Sequence, residues 1–208
     1  MEDGVDKPAV SICVPTLGRE ASLQRCLKAI EDNTKDWPYE VVVERDVFGP
    51  ERRGCPRTLA AAVDRATGSY IAFIGNDTIP QPGWLRIAME RMLETFSDGV
   101  GLVGFNDLYW QDGRCLHWVG SRSLLPMLDG YFFNPIYGHC GTDDELIARC
   151  RQAGKYVWCP EAVVSHDHFI SGAPFDPVYE AGWSTFERDR ATLKERSERM
   201  GFAPWLPK

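Results

Sequence analysis

The sequence predicts an α/β fold: a mostly parallel sheet flanked by helices, with a smaller aromatic-rich region. Two observations carry this. Short buried apolar runs alternate with amphipathic helical stretches through the first half. Past residue 106 the alternation stops, and aromatic and glycine-rich sequence takes over. The 208 residues suit a single domain, and 44% hydrophobic residues supply a sizeable core. Three portions are expected within residues 1–208, covering about 9–106, 107–176 and 177–208.

Residues 10–14 read as a buried strand ending at Pro15. A helix follows, with Leu23, Cys26, Leu27 and Ile30 at i, i+3, i+4, i+7. Residues 39–43 are rich in β-branched residues and form the second strand. Leu59, Ala62, Val63 and Ala66 mark a helix that Gly68 stops. Residues 70–74 are a third strand, Leu85 to Phe96 a longer helix, and residues 100–105 a fourth strand. From Asp107 to Cys140, turn signals at Gln111-Asp112-Gly113 and Leu128-Asp129-Gly130 suggest short antiparallel strands or loops over one end of the sheet. A helix over about 143–152, short strands at 156–158 and 162–165, and a helix through 186–190 complete the chain.

Composition narrows the function. The net charge of −7 argues against a broad electrostatic grip on nucleic acid or anionic membrane. No apolar run approaches the ~18–20 residues of a membrane span, and Met1-Glu2-Asp3-Gly4 lacks the features of a signal peptide. The seven cysteines are odd in number and contain no Cys-x-x-Cys pair, so reduced thiols in a cytoplasmic protein are expected. Cys115 with His117, and His139 with Cys140, have no diagnostic zinc spacing. Neither a P-loop nor a Gly-x-Gly-x-x-Gly turn follows the first strand.

In an open parallel sheet, ligands sit beyond the carboxyl ends of the strands. There the sequence places Pro15-Thr16-Leu17-Gly18-Arg19, Glu44-Arg45-Asp46 and Gly75-Asn76-Asp77-Thr78. Asp77 suits a hard divalent cation, or equally an Asx-type turn. Thr142-Asp143-Asp144-Glu145 fits a capping box, or offers a general base. His166 and His168 are either surface residues or imidazoles that complete a metal site.

Together these pieces resemble the family-two glycosyltransferases of the GT-A fold. The resemblance rests on Val10-Ser11-Ile12-Cys13-Val14-Pro15-Thr16 with Arg19, Tyr39-Glu40-Val41-Val42-Val43, the run from Ala66 to Asp77, and Pro82-Gly83-Trp84-Leu85. It continues through 143–149, Gly154-Lys155-Tyr156 and the run from Pro160 to His166. It implies inverting transfer from a nucleotide-diphosphate sugar, such as a UDP-sugar, to a hydroxyl on a glycan, a protein or a modified nucleic-acid base. Pro15, Thr16, Arg19, Glu44 (with Asp46 as second choice), Arg57 and Asn76 would hold the donor. Asp77 and His166 would hold Mn2+ or Mg2+. Asp143, or alternatively Asp144, would be the base. Trp110, Trp118 and His139 would face the acceptor. Arg188, Arg190 and Lys194 of the tail would form an exposed helical face or, alternatively, close over a diphosphate. The chain departs from the family at Gly75, where a first metal-motif Asp is frequent, at Gly18 and at Thr142. A nucleotidyltransferase of similar architecture and a non-catalytic nucleotide-sugar-binding module are the competing readings.

Overall fold

In the computed structural model, which describes residues 9–110, 113–169 and 172–204, β1 (Val10–Leu17) lies between β2 (Tyr39–Asp46) and β3 (Tyr70–Phe73) and runs parallel to both. The sheet continues through β4 (Thr78–Pro80), β5 (Leu102–Asn106), β6 (Trp118–Ser121) and β7 (Tyr156–His166) in the order β2-β1-β3-β6-β5-β7-β4. Five strands share one direction, while β6 and β4 run against their neighbours. The expected acidic start, Met1 to Gly4, and Gln111 and Asp112 of the expected turn lie outside the described residues.

Alternation along the strands divides the core into two layers, because successive side chains leave opposite faces. Val10, Ile12 and Val14 of β1 pack with α1 (Glu20–Asn33) and α3 (Trp84–Thr95) through Leu23, Ile30, Trp84 and Met89. Cys13 takes the other face with Ile71 and Phe73, against α2 (Cys55–Arg65) and α4 (Thr142–Gln152) through Leu59, Ala62, Leu146 and Ile147. All seven cysteines are free thiols.

Several expectations change. β1 continues past Pro15 to Leu17, and β2 reaches Asp46, because the two ladders pair in register to their ends. The strands expected at 156–158 and 162–165 are one strand, β7, which bridges them through a register shift opposite Gly104 and Asn106. β6 does not lie over the end of the sheet. It enters it between β3 and β5, where a buried WVGS segment supplies the missing ladder. Trp118 is thereby core and not an acceptor-facing residue: it is fully buried, with its ring 4.7 Å from Phe132 and 5.6 Å from Phe133.

The tail holds α5 (Pro177–Trp183) and α6 (Phe186–Met200). α6 exposes Arg188, Arg190 and Lys194 on one side and buries Asp189, Leu193 and Arg196 on the other. Arg196 donates to both oxygens of buried Glu145 at 2.6 Å, and Tyr137 donates to Glu145 Oε2 at 2.6 Å. The Glu145 carboxylate is therefore committed to pinning α6 on α4, and no capping box forms. The N-cap of α4 is Gly141 in the left-handed region (φ 75°), with no side-chain cap, and Thr142 Oγ1 has no partner among the described residues.

Candidate active site

Where β1, β2 and β3 end, a cleft of about 340 Å3 opens under α5 and the start of α4. That size falls in the range of small-molecule pockets, about 300–1,000 Å3. Of the residues expected at the site, Pro15, Thr16, Arg19, Asp46, Asn76, Asp77, Trp110, His139, Asp143, Asp144 and His166 all line it. Glu44, Arg57 and Trp118 lie outside its lining. Glu44 instead binds Arg53 at 2.9 Å and Arg65 at 2.7 Å on the outer side of β2. Arg57 is exposed and donates to the Arg53 carbonyl. Alternation puts Glu44 and Asp46 on one face of β2, but only Asp46, the last residue of the strand, lines the cleft.

The first turn is built around Thr16. Asn76 Nδ2 donates to Thr16 Oγ1 at 2.6 Å, and the Thr16 hydroxyl donates to the Gly18 carbonyl at 3.1 Å. Arg19 follows in the left-handed region (φ 54°), an unusual conformation for a side-chain-bearing residue, which sits at the N-cap of α1. Asp46 accepts from the backbone N–H groups of Val47, Arg53 and Gly54 at 2.8–2.9 Å, so its carboxylate holds the loop that brings Arg52 to the cleft.

Asp77 and His166 meet because β4 and β7 pair antiparallel with Thr78 opposite His166. His166 Nε2 lies 3.2 Å from Asp77 Oδ1. Arg19 Nη1 donates to Asp77 Oδ2 at 2.5 Å, and the Tyr179 hydroxyl donates to the same oxygen at 3.1 Å. Burial alone would raise the Asp77 pKa. The hydrogen bond from His166 and the charges of His166 and Arg19 outweigh it and hold the carboxyl well below its usual range. Arg19 is further clamped by Asp176, which accepts from Nε and Nη2 at 2.7 Å, and its guanidinium stacks 3.8 Å from the centroid of the Tyr179 ring.

Across the cleft, Asp143 and Asp144 open α4. Burial raises both carboxyls, and the neighbouring Asp143 charge helps push Asp144 up to about 8. His166 and His168 do not continue along one strand: the His168 N–H donates to the His166 carbonyl at 2.9 Å, a tight turn that brings the two rings to 4.9 Å. All four histidines of the chain, His117, His139, His166 and His168, line this one cleft.

A cation is compatible with these donors. Two ligands bonded at about 2.1 Å stand about 3 Å apart when cis to each other. The 3.2 Å between Asp77 Oδ1 and His166 Nε2 matches that spacing. Among the described residues no three His, Cys, Asp or Glu side chains already form a ligand group. Oxygens of a diphosphate would fill the remaining positions, as hard divalent cations commonly require.

Sequence reasoning left out Arg52, Asp176, Tyr179 and Trp183. Asp176, Tyr179 and Trp183 belong to a polar tail without apolar periodicity. Asp176 and Tyr179 meet Arg19 across 157 residues or more, which no local pattern reports. Asp176 does carry a local signal: it is the N-cap of α5, just before Pro177, and accepts from Val178 and Tyr179 N–H.

The family model "Glycosyl transferase family 2" matches residues 45–107. No curated protein matches the chain by sequence. Among solved structures, the mannosyltransferase PcManGT from Pyrobaculum calidifontis, in complex with GDP-Man and Mn2+, superposes with a TM-score of 0.62 at 22% identity, covering 78% of this chain and 57% of that one. Glucosyl-3-phosphoglycerate synthase from Mycobacterium tuberculosis, solved with Mn2+, UDP and glucosyl-3-phosphoglycerate, gives 0.64 at 17% identity, covering 91% and 80%. TarS of S. aureus gives 0.60 at 13%, covering 91% of this chain. The chain spans about half the length of the first and last of these, 57% and 43%. The family-two model thus matches one segment of the chain, and the chain as a whole shares the fold of these solved glycosyltransferases.

Proposed function

We propose that the protein transfers a glycosyl group from a nucleoside-diphosphate sugar to an acceptor hydroxyl, with inversion at the anomeric carbon. The observation that carries this reading is the arrangement of one cleft: Asp77, His166 and Arg19 on the side of the strand ends, and the Asp143–Asp144 pair facing them from α4. The first group suits a diphosphate and its cation. The second suits a proton acceptor. Mn2+ and UDP or GDP-Man accompany the structural relatives named above, which supports the same ligand class here.

The donor half is about residues 9–106 and the acceptor half about 107–176, and α5 at the start of the tail brings Tyr179 against Arg19 and Asp77. A divalent cation held by Asp77 and His166 would offset charge on the departing diphosphate. Arg19, fixed by Asp176 in a forked ion pair, supplies a second positive group beside it. Asp143, or Asp144, takes the proton of the acceptor hydroxyl. The acceptor oxygen then bonds to the anomeric carbon as the bond from that carbon to the diphosphate oxygen breaks, and the nucleoside diphosphate leaves with the bonding pair. A single displacement of this kind inverts the centre.

Trp110, His139, Trp183 and Phe186 line the acceptor side. Trp183 and Phe186 stack at 5.2 Å with their planes 9° apart, and Trp183 is 46% exposed, so an open aromatic face borders the cleft. Such a face suits a sugar ring or another flat group on the acceptor. The free thiols support a reducing, cytoplasmic setting.

Single variants at the carboxylate pair test the reading. With a nucleotide-sugar panel and simple glycan acceptors, Asp143→Asn should keep donor binding and lose transfer by 100-fold or more, on the scale of general-base catalysis at about 10²–10⁴. Unchanged transfer in both Asp143→Asn and Asp144→Asn removes the base from this pair. A panel that binds but never turns over favours the non-catalytic module.

A further inference from the structure

We propose that Arg52 binds an oxyanion on the acceptor, so that the acceptor of this cleft is a ring compound carrying a phosphate or a carboxylate; this rests on the glycosyl-transfer reading above. Arg52 and Arg19 both line the cleft. Arg19 is paired with Asp77 and Asp176. Arg52 enters no ion pair among the described residues: its Nη1 donates to the Ala181 carbonyl at 2.6 Å, and its Nε is buried without a hydrogen-bond partner. A guanidinium offers several N–H donors in a planar fork and cannot give up its charge, so taking it out of water is costly until an anion meets it.

The side chain is fixed before a ligand arrives. The loop that carries it is held by the Asp46 carboxylate at the amides of Val47, Arg53 and Gly54. Gly54, at φ 81°, packs on the Gly138 carbonyl so closely that a Cβ would not fit. The Ala181 carbonyl orients the guanidinium itself from α5. A fork held in this way loses little freedom on binding.

Its neighbours place the anion on the acceptor side. Gly182, next to Ala181, lies against the His139 ring, where a Cβ would stand 2.9 Å from Cδ2. One residue further, Trp183 stacks on Phe186 and borders the same cleft. Arg52 thus stands beside His139 and the aromatic face, while the diphosphate of the proposed donor falls to Arg19 and Asp77. An open aromatic face next to a guanidinium suits a sugar ring that bears an oxyanion. A neutral acceptor leaves Arg52 uncompensated, which selects against it.

Calorimetric titration of the intact protein, with UDP or GDP and Mn2+ present, tests this with glucose 6-phosphate, glucuronate and glucose as probes. At least one anionic probe should bind about tenfold or more tightly than glucose. Arg52→Gln should weaken that probe by about 10–100-fold, the worth of hydrogen bonds to a charged group, and leave glucose and the nucleotide within about twofold. Arg52→Lys should recover part of the loss, because it keeps the charge without the fork. A merely structural role for Arg52 predicts a lower melting temperature in Arg52→Gln with no change in the preference for the anionic probe. Anionic probes that bind no better than glucose, or that bind Arg52→Gln as tightly as the parent, overturn the proposal. Nucleotide affinity that falls in Arg52→Gln as far as the anionic probe does assigns Arg52 to the donor diphosphate and overturns it as well. Anionic probes bound through Arg52 by a protein that binds neither UDP nor GDP overturn the glycosyl-transfer reading and leave the oxyanion site standing.

Discussion

Arg19 and Asp176 form a forked ion pair, with both contacts at 2.7 Å, across 157 residues of sequence. The same guanidinium reaches Asp77, so one side chain ties the first turn of the sheet, the cation-side carboxylate and the tail helix together. Removing it leaves a buried carboxylate short of its cation. Arg19→Ala should cost about 3–5 kcal/mol, the scale for breaking a buried pair, read by denaturant unfolding. Arg19→Lys should recover only part of this, because an ammonium cannot serve the fork and Asp77 at once.

The Asp143–Asp144 pair makes stability fall with pH. Asp144 has a folded pKa raised to about 8 from an ordinary value of 3.8. The folded state therefore holds a proton that the unfolded chain has released, and this contribution is complete below pH 3.8 and lost as pH rises through about 8. Asp144→Asn should match the parent in melting temperature near pH 4 and exceed it near pH 8.5. Equal melting curves at both values would contradict the burial of this pair.

Asp189 fixes the loop at residues 138–140 beside the cleft. Its buried carboxylate accepts from the backbone N–H groups of Gly138, His139 and Cys140 at 2.8–3.1 Å, and from the Thr185 hydroxyl at 2.8 Å. Asp189→Ala orphans these buried donors at about 1–3 kcal/mol each where water cannot enter. Hydrogen exchange should rise at residues 138–140, and turnover should fall more than donor affinity, since the proposed donor contacts lie on the other side of the cleft.

The residues outside the cleft make a contrasting set. Glu44→Gln and Arg57→Ala should leave nucleotide-sugar binding within about twofold, as expected of a carboxylate paired with Arg53 and Arg65 away from the cleft and of an exposed side chain bonded to the Arg53 carbonyl. Trp118→Ala should cost about 3–5 kcal/mol in unfolding free energy through a core cavity.

The sheet was legible because its strands are buried runs and its helices carry an i, i+3, i+4 stripe, patterns that burial enforces locally. Asp77 and His166 were legible through family resemblance, and the β4–β7 pairing explains why they meet. Glu44 and Asp46 stand two places apart at the same end of β2, one held by Arg53 and Arg65 and the other by loop amides. Sequence alone could not choose between them. Trp118 read as an acceptor residue because aromatic content does not report which face of a strand meets the core. The capping-box pattern at Thr142 and Glu145 was outcompeted by Arg196, a partner 51 residues away.

The central claim is that this cleft binds a nucleoside-diphosphate sugar with a cation at Asp77. Calorimetric titration of the parent and Asp77→Asn with UDP- and GDP-sugars, with and without Mn2+, addresses it most directly. The account predicts saturable binding of at least one donor that strengthens with Mn2+ and is lost, together with that Mn2+ dependence, in Asp77→Asn. Binding of no donor, or Mn2+-independent binding that survives unchanged in the variant, would contradict it.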